Sequence, residues 1–592
     1  MAMNVFSIGS RLMFFAFSVL LWNHLTAQQH KPNIVILLSD DQGWGDLGIT
    51  GNTTVATPHI DRLFREGVQF ERFYVNAVCS PTRAELLTGR SHVRGGVTGT
   101  ASGKERLDLD EATLAQALKQ AGYATGIFGK WHNGGQGPYH PNARGFDTFY
   151  GFTIGHIGNY FDAALQFNGK PQKGSGYITD DLTSHGLRFI EQHQSVPFLA
   201  YFPFNVPHSP MQVPDQQWNA YAQKTISQKG TQSALENIQH TRAALAMMEN
   251  LDDNVGRIVQ KIQSLGLDEH TIFIYFSDNG PNGHRWNAHM KGIKGSVDEG
   301  GVRSPMVIRW NGKLKAFSVD QISSVMDLFP TLMELIGAAP TPSQPLDGKS
   351  LVPLLTQQQT PELKERMLIN YWSGKTSVRY KQFRLTHDGQ LVNVVADPAQ
   401  VTDLSLQYPH EKQAMIDYRG NWKQTVLAEL SAEDNRPFVI GSKVLDVDLL
   451  PASEGTGSGN LIRSNKHPND SYFKQWNSRD DKISWRVDVE QGGVFEVHVY
   501  YACSEKNKGT LLRLQANQTS VEQPIHDSNE SPLRGMEMDR VEREESFLKE
   551  FKPLRVGRIR LENGMNRLEL SAPNLMMPND VEVYMLTLQR MR

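Results

Sequence analysis

The first two-thirds of the chain alternate between short, mainly apolar segments and longer segments whose apolar residues have helical spacing. Strands that are apolar at every position, rather than at every second one, are typical of a sheet covered by helices on both faces. The pattern therefore predicts an α/β fold in this region. The strands expected are Ile34–Leu38, Ala124–Phe128, Pro197–Phe202 and Thr271–Phe276, and the helices expected are Glu111–Ala121 and Thr241–Leu265.

Length and composition limit the classes of protein that this chain can represent. Its 592 residues are too many for one ordinary core, so two or three domains are expected. The net charge of −3 does not suggest a nucleic-acid partner or a polybasic membrane contact. Cys79 and Cys503 are the two cysteines, so a disulfide framework does not hold the fold.

The N-terminus has the pattern of a signal peptide over residues 1–27. Arg11 precedes the apolar run Leu12–Leu21, and Thr26 and Ala27 supply small residues at a cleavage site. The alternative is a membrane anchor, but the run is shorter than the roughly 20 residues that span a bilayer. We therefore expect cleavage, a periplasmic or secreted protein, and no membrane association afterwards.

The pattern changes after about Val352. Short strands are expected at Val378–Leu385 and Leu391–Val395, followed by a helix at Pro409–Trp422. From residue 433 to residue 592 the chain has alternating apolar and polar residues with Gly-containing turns, which predicts a β-sandwich. We expect a flexible boundary at Glu454–Gly459, because that segment is rich in glycine and serine.

The sandwich loosely resembles carbohydrate-binding modules, and the equal alternative is a packing or spacer module. Every candidate catalytic residue precedes it in the chain. We therefore expect it to contribute to glycan capture or to stability rather than to chemistry.

The segment Cys79–Arg90 carries the most specific motif. Pro81 fixes its own φ and needs no amide partner, so it suits the first turn of a helix. Cys79 then lies just before that helix, where free amides and the helix dipole favour anionic groups. Arg83 lies one turn later, and its planar guanidinium suits a tetrahedral oxyanion. The alternative is a buried structural cysteine.

The whole segment, C-x-P-[ST]-R followed by L-T-G-R, resembles the signature of the type I sulfatases. These are the formylglycine-dependent, arylsulfatase-like members of the alkaline phosphatase superfamily. The resemblance extends from about Asn33 to about Trp422. It implies a mixed sheet covered by helices in a catalytic domain at 28–352, a small α+β subdomain at 353–432, and oxidation of Cys79 to formylglycine by a maturation enzyme.

Two pairs of oxygen ligands follow predicted strands. Asp40 and Asp41 follow the first strand, and Asp278 and Asn279 follow a later one. Three carboxylates and an amide oxygen suit Ca²⁺ or Mg²⁺ and do not suit Zn²⁺. Each pair alone is also an ordinary turn sequence. The resemblance implies that the four hold one Ca²⁺ per chain, with an oxygen of the modified Cys79 completing the shell.

Further loop residues match motifs of the family in chain order. Taken singly, loop lysines and histidines are more often solvated or structural. The resemblance implies that they form the sulfate pocket together with Arg83. One departure from the family is Asn133, which stands where leucine is common. The residues concerned are Lys130 and His132 in Gly129–His132, His208 in Pro207–Pro210, and Lys294 in Lys294–Pro305.

The mechanism implied by the resemblance is hydrolysis through a covalent intermediate. The hydrated aldehyde at Cys79 attacks sulfur with one hydroxyl. The cations Arg83, Lys130 and Lys294 stabilise the charge on the sulfuryl group. His208 is the candidate that protonates the leaving alcohol, with Lys294 as the alternative, and His132 accepts a proton when the second hydroxyl expels sulfate.

The function that the sequence favours is an exported sulfatase acting on a sulfated carbohydrate. Candidate sugar contacts are the segment Gly155–Asp162 and the residues His284, Arg285 and Trp286, although core packing explains aromatic residues more often. Two alternatives remain open. The first is a phosphate or phosphonate ester hydrolase of the same superfamily, and the second is a catalytically silent glycan-binding protein.

Overall fold

The computed structural model describes residues 31–339, 344–358, 360–431, 434–575 and 579–591. The expected signal peptide lies outside these described residues. Within the described ranges, no helix is long and apolar enough to cross a membrane. The α-helices are Pro58–Glu66, Cys79–Thr88, Leu114–Gln120, Ile178–Gln192, Asp215–Tyr221, Ile238–Ser264, Glu299–Val302, Leu328–Leu335, Val352–Leu355, Pro361–Lys364 and Pro409–Thr425.

A ten-stranded mixed sheet organises the first part of the chain. Its four central strands are mutually parallel, so their carboxyl ends lie at one edge of the sheet. From edge to edge the strands are Phe317–Val319, Val68–Phe70, Met306–Trp310, Thr271–Ser277, Asn33–Ser39, Phe198–Pro203, Ala124–Lys130, Thr148–Phe152, Ala164–Phe167 and Lys170–Lys173. The expected α/β fold with a mixed sheet is therefore confirmed.

Both faces of this sheet are covered, which explains the unbroken apolar strands. Along the strand Asn33–Ser39, Val35 and Leu37 join one core with the helices Ile178–Gln192 and Ile238–Ser264. The alternate residues of the same strand, Ile34, Ile36 and Leu38, join a second core on the opposite face. Successive strand residues point to opposite faces, so a sheet between two helical layers requires apolar side chains at every position.

Two smaller sheets complete this part of the molecule. A three-stranded sheet contains Arg303–Ser304, Phe73–Tyr74 and Ser323–Ser324. An antiparallel four-stranded sheet packs against the helix Pro409–Thr425 through Met415. Its strands are Met367–Trp372, Lys375–Tyr380, Phe383–Leu385 and Leu391–Asn393.

The C-terminal region is an all-β sandwich of two six-stranded sheets around one apolar core, as expected. One sheet contains Phe438–Ile440, Thr456–Ser458, Lys482–Val489, Leu511–Ala516, Thr519–Pro524 and Gly564–Ser571. The other contains Val447–Pro451, Ile462–Arg463, Phe473–Lys474, Gly493–Ala502, Lys552–Leu561 and Glu582–Arg590.

The segment Glu454–Gly459 does not form the flexible boundary that its composition suggests. Thr456–Ser458 is a strand that pairs with Lys482–Val489. A Cβ on Gly457 would lie 2.5 Å from the ring of Phe473. The glycine is therefore explained by close packing inside the sandwich rather than by flexibility.

Candidate active site

The floor of the site lies at the carboxyl edge of the central parallel strands. Asp40 and Asp41 follow the strand Asn33–Ser39, and Asp278 and Asn279 follow the neighbouring strand Thr271–Ser277. The backbone amide of Asp41 donates to Oδ1 of Asp278 at 3.1 Å, and Nδ2 of Asn279 donates to Oδ1 of Asp41 at 2.8 Å. All four residues are fully buried.

The helix Cys79–Thr88 directs its N-terminus into this cluster. Cys79 is the first residue of the helix and is 2% exposed, with Pro81 in the same first turn. The Thr82 hydroxyl donates to the Asp278 carbonyl oxygen at 2.7 Å and fixes the helix against the strand end. The sulfur of Cys79 and carboxylate oxygens of Asp40 and Asp278 lie within 4.8 Å of one another.

Three cations neutralise the three carboxylates. Arg83 Nη2 lies 2.8 Å from Asp278 Oδ2, and Lys130 Nζ lies 2.6 Å from Asp40 Oδ2. Arg83 was predicted to face a substrate oxyanion, and in the structure its guanidinium is buried against Asp278 and the Lys130 carbonyl oxygen. The third cation, Lys294, lies 2.8 Å from Asp41 Oδ2 and is 21% exposed. Lys294 is therefore the cation of the three that faces the cavity.

The donor set fits a hard divalent cation. Within the part of the chain that the structure describes, Oδ1 of Asp40 and Oδ1 of Asn279 are buried without a hydrogen-bond partner, an arrangement that costs free energy unless a ligand binds them. Burial and the Asp40 carboxylate hold the pKa of Asp278 well above its ordinary value, although Arg83 opposes this. A cation among these oxygens would relieve that repulsion, and oxygen donors alone favour Ca²⁺ or Mg²⁺.

Asp41 and His132 both adopt a left-handed backbone conformation, with φ values of 65° and 61°. This conformation is uncommon outside glycine, although aspartate and histidine tolerate it better than most residues. It costs on the order of 1–3 kcal/mol and is found mainly at functional sites. At both positions the left-handed conformation lets the backbone turn sharply after a central strand, so that the side chains of Asp41 and His132 stay at the site.

Two of the histidines that border the cavity, His132 and His208, have backbone partners that define the roles of their ring nitrogens. His132 Nε2 lies 2.9 Å from the Thr100 carbonyl oxygen and therefore donates, which leaves Nδ1 as an acceptor that no described residue pairs with. Burial, and then Lys130, lower the pKa of His132 to about 3, so its ring is neutral. His208 Nδ1 lies 2.6 Å from the Ser209 carbonyl oxygen, and Nε2 lies 3.6 Å from Asp41 Oδ2.

Asn133, the departure from the family pattern, has a local structural role. Its Nδ2 lies 3.3 Å from the carbonyl oxygens of Ser80 and Glu105. It therefore ties the start of the helix that carries Cys79 to the neighbouring loop.

A cavity of about 530 Å³ opens above the floor. Of the predicted site residues, Cys79, His132, His208 and Lys294 line this cavity, whereas Arg83 and Lys130 lie beneath it. Other lining residues were not predicted as parts of the site. They include His240, Trp372 and residues of the sandwich, which are His467, Asn469 and Val541–Glu545. Sequence spacing gives no signal for the sandwich residues, because they lie hundreds of positions from the floor.

The candidate sugar contacts divide in the structure. Gly155 and His156 line the cavity, whereas Tyr160 of the same segment is buried and Asp162 is exposed. Arg285 forms a buried ion pair with Asp46 at 2.6 Å. His284, Arg285 and Trp286 are not among the described residues that line the cavity, although the adjacent Asn282 and Gly283 are.

Comparison with known proteins agrees with this geometry. The sulfatase family model matches residues 32–338, which include every floor residue. This chain belongs to the sulfatase family. N-acetylgalactosamine-6-sulfatase of Mus musculus is 33% identical over 382 residues, covering 58% of this chain and 69% of the relative. Arylsulfatase G of Rattus norvegicus is 30% identical over 436 residues, covering 62% of this chain and 79% of the relative.

The family model and the curated relatives show that the chain is a sulfuric ester hydrolase, and together with the solved structures they place it in the alkaline phosphatase superfamily. The crystal structure of Ps i-CgsB matches with a TM-score of 0.60 and 28% identity, covering 68% of this chain and 94% of that one. A phosphonate monoester hydrolase of Agrobacterium radiobacter matches with a TM-score of 0.52 and 20% identity, covering 68% of this chain and 96% of that one. At that identity the second match shows a shared fold only.

Proposed function

We propose that this sulfatase hydrolyses a sulfate ester of a sulfated carbohydrate. The observation that carries the proposal is the convergence of Cys79, oxygen ligands and cations at the base of a cavity about 530 Å³ in volume. The carbohydrate is supported by relatives, one named as an N-acetylgalactosamine-6-sulfatase and one solved in complex with k-i-k-neocarrahexaose. A volume of this size is ample for a sugar ring.

Cys79 is the proposed position of the nucleophile. Its signature segment supports recognition by a maturation enzyme, and its place at the helix N-terminus favours a polar, partly anionic group. Formylglycine formed from Cys79 would supply a hydroxyl that attacks sulfur and, unlike serine or cysteine, would allow sulfate to leave as the aldehyde reforms.

The proposed metal is one Ca²⁺ per chain, held by Asp40, Asp41, Asp278, Asn279 and an oxygen of the modified Cys79. When bound, it would polarise sulfate oxygens and favour the ionised nucleophile. Arg83 and Lys130 balance the carboxylates from behind, and thereby keep the ligands in place while the substrate exchanges.

The other side chains have proposed roles that follow from their positions. Lys294 faces the cavity and stabilises negative charge on the sulfuryl group. His208 protonates the leaving alcohol from Nε2, because its Nδ1 already faces the Ser209 carbonyl oxygen. His132 accepts a proton at Nδ1, its unpaired acceptor, when sulfate leaves.

The cellular setting is also a proposal. Residues 1–27 are expected to export the protein to the periplasm or the medium. Cell fractionation with detection of the mature N-terminus checks this, and an intact N-terminus in a membrane fraction would contradict it.

Mass analysis of the Cys79 peptide from a competent host, combined with turnover of sulfate and phosphate esters, tests the proposed chemistry. We expect formylglycine at Cys79 and a strong preference for sulfate esters. Preference for phosphate or phosphonate esters would favour the hydrolase alternative. An unmodified cysteine without turnover would favour the silent glycan-binding alternative. A panel of sulfated mono- and oligosaccharides then identifies the sugar.

A further inference from the structure

A long loop of the sandwich reaches over the catalytic domain. We call the segment Gly535–Leu548 the arm. Gln212 Nε2 donates to the Gly535 carbonyl oxygen at 2.8 Å and to Asp539 Oδ1 at 2.9 Å. Arg543, itself buried, donates to the Gly158 carbonyl oxygen. The arm is therefore fixed to two neighbouring catalytic-domain loops, which both contribute residues to the cavity lining.

The end of the arm brings a carboxylate beside a buried histidine. Ser209 donates its hydroxyl to Glu545 of the arm, and the Ser209 carbonyl oxygen lies 3.1 Å from His156 Nδ1. Glu545 and His156 both line the cavity that contains Cys79. The ring centroid of His156 lies 5.8 Å from that of His208. The two residues therefore form one patch next to the proposed general acid.

His156 lines the cavity and carries a buried ring nitrogen that can accept a hydrogen bond. Because Nδ1 faces a carbonyl oxygen, it carries the proton in the neutral ring, and Nε2 retains its lone pair. Burial lowers the pKa of His156 to about 3, with His208 adding to the effect, so the neutral form is present at neutral pH. Nε2 has no hydrogen-bond partner among the described residues, although His156 is only 6% exposed. A buried acceptor of this kind is costly unless a ligand donates to it.

We call the part of the cavity lining that the arm forms, Val541–Glu545, the wall. The charge of the wall differs from that of the floor. Glu542, Glu544 and Glu545 of the arm line the cavity, and Lys466 offsets Glu544 at 2.8 Å. A carboxylate and an unprotonated imidazole nitrogen accept hydrogen bonds, which ring hydroxyls of a sugar can donate. A second sulfate group has no hydrogen to donate and carries negative charge, so it would be repelled there.

We propose that Glu545 and His156 bind unsulfated ring hydroxyls of the substrate sugar, so that the sandwich helps to select sugars with a free hydroxyl beside the scissile sulfate. The inference rests on the proposed function, because it requires a sulfated sugar in this cavity. It gives the sandwich a direct contact with substrate in the active site.

The test compares Glu545→Gln and His156→Ala with wild type on two classes of substrate. The sugar probe is whichever of the 6-sulfates of galactose, N-acetylgalactosamine and N-acetylglucosamine wild type turns over best, and the other probe is 4-nitrophenyl sulfate. Glu537→Gln is the matched control, because Glu537 is an exposed residue of the arm that does not line the cavity. Thermal melts of all variants check the fold.

We expect kcat/KM for the sugar sulfate to fall about 10- to 100-fold in both cavity variants, mainly through KM. Turnover of 4-nitrophenyl sulfate should stay within about threefold, because it has no ring hydroxyl to lose a partner. Wild type should also disfavour the sugar with a second sulfate on the neighbouring hydroxyl, and Glu545→Gln should narrow that difference.

Equal losses on both substrates would overturn the inference in favour of a structural role for the patch. A loss in kcat alone would overturn it in favour of a role through His208, and unchanged kinetics would also overturn it. If wild type hydrolyses 4-nitrophenyl sulfate but none of the sugar sulfates, the proposed binding of ring hydroxyls is overturned, while sulfatase activity itself is still supported. Absence of turnover on every sulfate ester would instead show that the proposed function has failed.

Discussion

The floor and the outer wall of the cavity satisfy their charges in different ways. On the floor, Arg83 and Lys130 are fully buried, and each pairs with a carboxylate of the cluster. On the wall, Glu545 is partly exposed and its hydrogen-bond partner is a hydroxyl. The floor is fixed by adjacent parallel strands, whereas the wall is assembled from loops and a second domain. The difference suggests that the floor determines the chemistry and the wall determines the substrate.

The sharpest test of this comparison is removal of the proposed nucleophile. Cys79→Ala should lower kcat on every sulfate ester by at least about 10⁴-fold, because no other group of the floor replaces it. Turnover of 4-nitrophenyl sulfate measures the effect, and circular dichroism checks the fold. Cys503→Ala is the control, since Cys503 is buried in the sandwich and burial raises its pKa to about 11. Appreciable activity of Cys79→Ala would rule out the assignment of the nucleophile to Cys79.

A second change on the floor should be almost as damaging. Asp278→Asn keeps the side-chain volume but removes a charged ligand, so bound calcium and turnover should both be lost, turnover by at least about 10³-fold. Elemental analysis gives the metal content per chain. Asp327→Asn is a matched control, because Asp327 is a buried carboxylate paired with Arg366 rather than with the cluster. Stoichiometric zinc in place of calcium would contradict the oxygen-ligand assignment.

Lys294 lies where floor and cavity meet, and its effect should be smaller. Lys294→Ala should lower kcat about 10²- to 10³-fold on sugar and aryl sulfates alike, because charge on the sulfuryl group loses one preorganised cation. The pKa of Lys294 is raised chiefly by Asp41 against the effect of burial, so the group stays charged. Lys291→Ala, an exposed lysine of the same loop, should match wild type. A selective loss on sugars would place Lys294 in the wall.

The smallest effect is expected where the arm is fixed to the catalytic domain. Arg543→Ala removes the donor to the Gly158 carbonyl oxygen and the ion pair with Asp539, so the wall should loosen. We expect a cost of about 1–3 kcal/mol in unfolding free energy, measured in urea. We also expect about a tenfold rise in KM for the sugar sulfate with unchanged aryl sulfate turnover. Arg513→Ala, at a half-exposed ion pair with Glu522, is the control. Equal losses on the sugar and aryl sulfates would contradict the assignment of chemistry to the floor and of substrate selection to the wall.

The strand and helix pattern in the first two-thirds of the chain was largely predictable. The expected helix Thr241–Leu265 is found as Ile238–Ser264, and the strand Ile34–Leu38 as Asn33–Ser39. These elements have strong periodicity or continuous apolar character, and the burial of both sheet faces requires that character. The flexible boundary predicted at the glycine-rich segment Glu454–Gly459 was wrong. Composition does not distinguish a mobile glycine from one that is packed against an aromatic ring.

The sequence predicts that Asp40, Asp41, Asp278 and Asn279 lie together, because each pair follows an apolar strand and ligands collect at the carboxyl ends of parallel strands. It does not predict which charges pair, and the ion pair of Arg83 with Asp278 became visible only in the structure. The wall could not be predicted from the sequence. Glu545 and Ser209 lie 336 positions apart and meet through side-chain and loop contacts that follow no period of helix or strand. Such contacts depend on how two domains dock, and docking is fixed by shape and hydrogen bonding that local patterns do not record.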